Sequence, residues 1–243
     1  NSFADPHPRN RALIVKAVDL DECGFVIAYE ALSKIYRIRV NLPQSLCEIV
    51  RVQGANSFQS TLAAIAMAFS PFLFKLADFR SVRMEAFPLD KGSCEFFSRF
   101  LQGGLGEFRY LQGLNPARPI LVEASSYAVP SPREWATEDR VLMLNGGGKD
   151  TIVAGELLKL AGQPFTWVTI RLNAARRSVI ELSGNLSSIE LGYEFDEGIE
   201  RDKVYPWGHF PHTSVVLSLG LLVAQLTGAR WVCAGNEYSA NYG

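Results

Sequence analysis

Between Val141 and Thr151 the chain reads V-L-M-L-N-G-G-G-K-D-T: an apolar run, three consecutive glycines, then a lysine, an aspartate and a threonine. Glycine costs backbone entropy, so three together need a local purpose. At the end of a strand, Gly146, Gly147 and Gly148 let main-chain N–H groups approach an anion with no Cβ in the way. A helix starting at once adds unpaired amides and a partial positive charge. Lys149 contributes mobile charge. Asp150 would hold Mg²⁺ or cap the helix, and the Thr151 hydroxyl would reach a phosphate oxygen. The loop reads as a polyphosphate site, and a tight glycine turn capped by Asp150 is the plainer alternative. Its spacing matches neither G-x-x-x-x-G-K-[ST] nor G-x-G-x-x-G.

Other residues carry acid–base or ligand chemistry. His209 and His212, two of the three histidines, flank Phe210-Pro211 at a predicted helix start. An imidazole titrating near neutrality suits proton abstraction, while helix capping or loop ordering is the ordinary role. Their spacing would permit a metal pair, but no third ligand stands nearby. Glu107 lies between G-L-G and Phe108, where apolar neighbours would favour acid–base use; a simple turn glutamate is the alternative. Asn236 and Glu237 follow a predicted strand. Glu237 would bind Mg²⁺ through oxygen, Asn236 would orient a substrate, and Ser239 would bond to either. Arg171, Arg176 and Arg177 offer forks for phosphate or carboxylate, with at least one expected to be merely solvated.

The elements that must hold these groups alternate in the second half. R-V-L-M-L-N is continuous and apolar, as a strand buried on both faces should be. D-T-I-V-A-G-E-L-L-K-L-A-G predicts an amphipathic helix with Ile152, Val153, Leu157, Leu158 and Leu160 on its apolar side and Gly162 as its stop. P-F-T-W-V-T-I, S-S-I-E-L-G-Y-E-F and R-W-V-C-A-G-N predict further strands, and Thr213 to Leu226 a long helix closed by Gly228. Strand–helix–strand repetition implies a parallel sheet with right-handed crossovers, which puts ligands outside the strands' carboxyl ends.

The first half reads as α+β, with strands around R-A-L-I-V-K-A-V-D-L, G-F-V-I-A-Y-E-A-L and K-I-Y-R-I-R-V-N-L, and helices at Gln59 to Leu76 and Cys94 to Leu101. The Pro/Ser/acidic stretch from Tyr127 to Arg140 resembles a linker. This divides the chain into an amino-terminal α+β region (1–126), a linker (127–140) and an α/β domain (141–243).

The chain has 243 residues, 48% of them apolar, and a formal charge of −1, which gives no basic field for nucleic acid. The four scattered cysteines form no C-x-x-C pair and read as reduced core residues of an intracellular protein rather than a zinc site. Thr61 to Ala77 is apolar but interrupted by Pro71 and Lys75, so a helix broken at the proline is expected rather than a membrane span. The start lacks the features of a signal peptide.

Gly147-Gly148-Lys149-Asp150-Thr151 resembles the S-G-G-x-D-S loop of the PP-loop ATP pyrophosphatases, with Gly146 in place of the first serine and Thr151 in place of the second. With G-G-L-G-E-F-R-Y (Gly103 to Tyr110), W-G-H-F-P-H and G-N-E-Y-S-A, in that order, the chain from Gly103 onward is similar to the UDP-N-acetylmuramoyl-L-alanyl-L-glutamate epimerase family. The resemblance implies a parallel sheet of PP-loop (adenine nucleotide alpha hydrolase-like) type after the α+β region. It implies ATP on Gly146–Thr151, Mg²⁺ on Asp150 and Glu237, and a UDP-linked muramoyl dipeptide on Asn236, Glu237, Ser239 and Arg171. It also implies chemistry by His209, Glu107 and Lys149, the G-H-x-P pattern favouring His209 over His212. The α-carboxylate of a terminal L-glutamate would be adenylated, acidifying Cα–H for inversion, with release of AMP and pyrophosphate. The setting would be cytoplasmic, or a plastid in a eukaryote, and more chain is expected after Gly243. Another PP-loop adenylating enzyme, an amide ligase or a nucleobase-modifying enzyme, and a catalytically silent nucleotide-binding partner module remain open. Oligomeric state is not specified.

Overall fold

The computed structural model describes residues 12–128, 135, 137–206 and 210–236. The amino-terminal strands β1 (Ala12–Asp21), β2 (Gly24–Ala31) and β3 (Lys34–Asn41) form an antiparallel meander. In β3 the alternation is strict: Tyr36, Ile38 and Val40 are buried between Ile35, Arg37 and Arg39, which face out. Helices α1 (Gln44–Gln53) and α2 (Gln59–Leu73) follow, then β4 (Ser81–Met84), α3 (Lys91–Gly104), α4 (Gly106–Leu111) and β5 (Leu121–Ala124). The second half alternates as expected: β6 (Glu138–Leu144), α5 (Lys149–Leu160), β7 (Phe165–Ile170), α6 (Ala174–Ser183), β8 (Ser188–Phe195), α7 (Glu197–Asp202), α8 (His212–Thr227) and β9 (Ala229–Ala234).

The described residues make one nine-stranded sheet, mostly parallel, in the order β5-β4-β1-β2-β3-β8-β7-β6-β9. β6 to β9 are mutually parallel, so their carboxyl ends share one rim. The meander joins them where Ile38–Asn41 of β3 pairs antiparallel with Gly192–Phe195 of β8. Between the two groups of strands, Trp135 stacks on Phe58 with centroids 5.3 Å apart, and β6 already begins at Glu138.

One face of the sheet carries α2 and α8, whose buried leucines, phenylalanines and alanines form the main core. Thr61 at the start of α2 hydrogen-bonds Gln225 near the end of α8. The far end of α2 therefore lies toward the start of α8, at the carboxyl rim. Pro71 does not break α2, which continues to Leu73. The carbonyl of Met67, which would have accepted the missing proline N–H, accepts the Ser70 hydroxyl at 2.8 Å instead.

The opposite face is covered by α5 and α6. Here the amphipathic reading of α5 is corrected. Thr151 and Gly155 are its buried residues, whereas Ile152, Val153, Leu157 and Leu160 are exposed, Leu160 by 85%, and only Leu158 of the expected set packs inward. A Cβ at Gly155 would collide with the buried Trp167 ring, so the helix lies on the sheet by its smallest residues. Cys47 and Cys94 are buried free thiols, but Cys23 is exposed and Cys233 half-buried, so the expectation of core cysteines holds for only part of the set. No helix among the described residues is long and apolar enough to cross a membrane.

Candidate functional site

The glycine loop leaves β6 at the carboxyl rim, where the parallel-sheet argument put it. Asn145 is buried and organises the loop: its Oδ1 accepts the Gly147 N–H at 3.0 Å, and its Nδ2 donates to the Arg176 carbonyl at 2.9 Å. Thr151 is also buried, and its Oγ1 accepts the Gly146 N–H at 3.2 Å. The Gly146 and Gly147 amides, expected to face a phosphate, are thus already paired within the loop. The N–H groups of Gly148, Asp150 and Thr151 have no partner among the described residues, and α5 begins without a side-chain cap. Asp150 therefore does not serve as the helix cap. Gly147, at φ +82°, holds a conformation that suits glycine.

The G-N of G-N-E-Y-S-A reaches the same corner. A Cβ on Gly235 would overlap the Asp150 carbonyl and crowd the Thr151 amide, so β9 ends in direct contact with the first turn of α5. Asn236 is exposed beside it. Arg171, at the end of β7, is exposed with φ +57°, and its guanidinium lies 5.0 Å from the centre of the Tyr193 ring. Non-glycine residues in that region store strain, and such strain concentrates at functional sites. Arg176 donates to the Ile170 and Arg171 carbonyls, both at 2.7 Å, and its buried Nε has no partner among the described residues. Burial lowers the Arg176 pKa. His212 opens α8 at this rim, half-buried, its pKa lowered by burial first and then by Arg176 and Arg171. At neutral pH its imidazole is therefore uncharged.

A second cluster forms where G-G-L-G-E-F meets the approach to W-G-H-F-P-H. A Cβ on Gly104 would overlap the Phe210 ring, and Phe100 packs on Phe210 with centroids 5.1 Å apart. Phe108 meets Tyr205 edge-on at 5.4 Å. Beneath Phe108 lies Lys75, 2% exposed, its Nζ 3.8 Å from the ring centre. The Lys75 side-chain amine has no hydrogen-bond or ion-pair partner among the described residues, and burial lowers its pKa to about 8. The sequence marked this residue only as an interruption of an apolar run, and a charge in a run that must be buried was the one available signal. Glu107, by contrast, is exposed on the first turn of α4, without the apolar enclosure expected of it. Arg109, two residues on, is fully buried, with Nε and Nη2 bonded to Asp78 at 3.0 and 2.9 Å, and it anchors α4.

The structure thus gathers Gly146–Thr151, Gly235, Asn236, Arg171 and His212 on one rim. Lys149 lies on the exposed start of α5. His209, Glu237 and Ser239 lie outside the described residues. Among the described residues no group of three or more His, Cys, Asp or Glu could hold a metal ion. A cavity of about 550 Å³ lies toward the opposite rim, between Pro43 and Ser45 at the start of α1 and Ser188 to Glu190 of β8, away from all of these groups.

The protein is a mixed α/β protein whose motif-bearing segments converge at the carboxyl ends of a large sheet. The MurL N-terminal domain family model matches residues 13–243, and the chain belongs to that family. It is 28% identical over 198 residues to the UDP-N-acetyl-alpha-D-muramoyl-L-alanyl-L-glutamate epimerase of Xanthomonas oryzae pv. oryzae, covering 78% of this chain and 42% of the relative. It is also 28% identical over 162 residues to the protein of the same name from a Micromonospora species, covering 63% of this chain and 35% of the relative. The aligned part thus spans less than half the length of each curated relative. No solved structure matches.

Proposed function

We propose that the chain belongs to an ATP-dependent epimerase that inverts Cα of the terminal L-glutamate in a UDP-linked muramoyl dipeptide. The observation that carries this reading is the meeting of the glycine loop and the G-N segment at the uncapped start of α5, in a chain of this family. The PP-loop assignment of the sheet belongs to the same proposal.

The unpaired amides of Gly148, Asp150 and Thr151 suit phosphate oxygens, and Lys149 and Arg171 bring positive charge to the same rim. Asp150, with Glu237, would hold Mg²⁺ by carboxylate oxygen. ATP supplies activation of the glutamate α-carboxylate. A free carboxylate resists loss of the adjacent proton because a second negative charge would build beside the first. The protein's own task is to hold the dipeptide, with Asn236, Ser239 and Arg171 as candidates, and to move the proton. His209 is the expected base, and the uncharged His212 imidazole stands at the start of α8.

The test is pyrophosphate release from ATP by the complete natural protein, with UDP-linked muramoyl-L-alanyl-L-glutamate as co-substrate, together with chiral analysis of the glutamate. Stoichiometric release with D-glutamate formation is expected. Absence of release with any peptidoglycan precursor overturns the reading. Asp150→Ala should also lose thermal stabilisation by ATP-Mg²⁺, and unchanged stabilisation removes Asp150 from the site.

A further inference from the structure

We propose that Arg176 is a positioning residue of the rim: it holds Arg171 in a left-handed turn and ties that turn to the glycine loop, so that the Arg171 guanidinium meets the same phosphate as the loop amides. This rests on the nucleotide reading of the loop and adds to it a residue outside the motifs that carry the resemblance.

Among the described residues, the non-glycine positions with positive φ are Leu32, Ser33 and Arg171. Leu32 and Ser33 form the two-residue turn between β2 and β3, where hairpin geometry requires positive φ at both positions. Arg171 stands alone. It follows β7 at φ +57°, a conformation that glycine would adopt without strain and arginine does not. The surrounding structure must therefore hold it there. Its exposed guanidinium rests near the Tyr193 ring and has no hydrogen-bond or ion-pair partner among the described residues.

Arg176 supplies the hold. In extended backbone successive carbonyls point to opposite sides. The carbonyls of Ile170 and Arg171 instead converge on one atom, Arg176 Nη1, at 2.7 Å each, because the chain turns at Arg171. Both bonds are charge-assisted and come from a rigid guanidinium. The rest of Arg176 faces the glycine loop. Its carbonyl accepts from the buried Asn145 Nδ2 at 2.9 Å, and Oδ1 of the same amide accepts the Gly147 N–H. A Cβ on Gly147 would come within 3.0 Å of Arg176 Cγ, so the loop packs directly on the arginine stem. The Arg176 N–H is fixed in turn by Asn173 Oδ1 at 3.0 Å. Leu144 pairs with Val168, and Gly147 and Arg171 each lie three residues beyond that pair, at one level of the rim.

A purely structural role predicts different behaviour. Both contacts of Arg176 with the loop, the main-chain carbonyl and the apolar stem, survive Arg176→Met, which removes the donors to the Ile170 and Arg171 carbonyls. If those donors act through Arg171, their effect on binding disappears once the Arg171 guanidinium is gone. If they serve only the fold, the effect remains.

The experiment is a double-variant cycle in the complete natural protein, read by calorimetry with ATP-Mg²⁺ and, separately, with the UDP-linked muramoyl dipeptide. Arg171→Ala and Arg176→Met should each weaken ATP-Mg²⁺ binding at least fivefold, and the double variant should bind within twofold of Arg171→Ala alone. A loss below fivefold in either single variant overturns the proposal, as does a double variant outside that twofold range. A loss confined to the dipeptide overturns it too, since Arg171 then serves the other ligand. Should Arg176→Met not fold, Arg176→Lys runs the same cycle. Its ammonium ends one bond short of the Nη1 position, and a loss of at least threefold, again absent without Arg171, is then required. If wild-type protein binds no ATP-Mg²⁺, the nucleotide reading itself fails. Wild-type binding with losses that add in the double variant removes only the role given to Arg176.

Discussion

At the glycine corner the chain presents main-chain N–H groups at an exposed helix start. Around Lys75 it presents one buried amine beneath the ring of Phe108. Both lie on the carboxyl rim. The first works through what side chains leave out, since Gly235 can touch α5 only because it lacks a Cβ. The second works through what a side chain adds at a thermodynamic cost. Substitution should therefore act in opposite ways: adding atoms damages the corner, whereas removing the charge relieves the chamber.

The most damaging change is expected to be Gly235→Ala. The new methyl meets backbone, the Asp150 carbonyl and Thr151 amide, and backbone cannot swing aside as a flexible side chain can. Overpacking of this kind costs about 1–3 kcal/mol, and the forced separation of β9 from α5 also displaces the main-chain amides at the start of α5. ATP-Mg²⁺ affinity by calorimetry should fall more than tenfold. Near-normal affinity would mean that the corner does not hold phosphate.

Lys75→Met should move stability the other way. The folded chain binds the Lys75 proton less readily than the unfolded chain does, with a pKa of about 8 against 10.5. Between those values the unfolded state holds more protons, so wild-type stability attributable to this group rises with pH from about 8 to 10.5. Below pH 8 the whole penalty is present, roughly 3 kcal/mol at 1.36 kcal/mol per pH unit. The Met variant should therefore exceed wild type by that order in urea melts at pH 7, and the gap should close toward pH 10.5. A gap independent of pH would show that packing, not charge, separates the two.

Thr151→Val sharpens the description of the corner itself. Its hydroxyl accepts the Gly146 N–H in a buried setting, so removal leaves that amide unpaired and should cost about 1–2 kcal/mol in chemical denaturation. If phosphate is held by the Gly148, Asp150 and Thr151 amides, ATP affinity should fall less than fivefold. A larger loss would show that the hydroxyl turns to phosphate on binding, as the sequence first implied.

Much of this was readable in the residues because the relevant physics is local. The glycine loop, the strand before it and the helix after it follow from periodicity and backbone freedom, and β6–α5–β7 lies where they indicate. The β3–β8 junction was not legible, because a pairing across more than 150 residues leaves no periodic mark in either strand. Arg109 was passed over within its own motif. Its partner Asp78 lies outside that motif, and only the folded chain shows the two bonded.

α5 is the clearest case of pattern and packing parting company. Hydropathy weighs how apolar a side chain is, whereas the sheet selects how closely a helix can approach. Gly155 against Trp167 wins that contest and turns Val153, Leu157 and Leu160 outward. Leu160→Lys should accordingly be the mildest change: at 85% exposure there is almost no burial to lose, and surface substitutions of this kind stay within about 0.5 kcal/mol. Urea denaturation of this chain should show that small effect. A loss above 2 kcal/mol would mean that the leucine stripe is covered in solution. The burial pattern of α5 would then follow its sequence periodicity after all, and the close approach of Gly155 would be a second contact of the helix rather than the one that orients it.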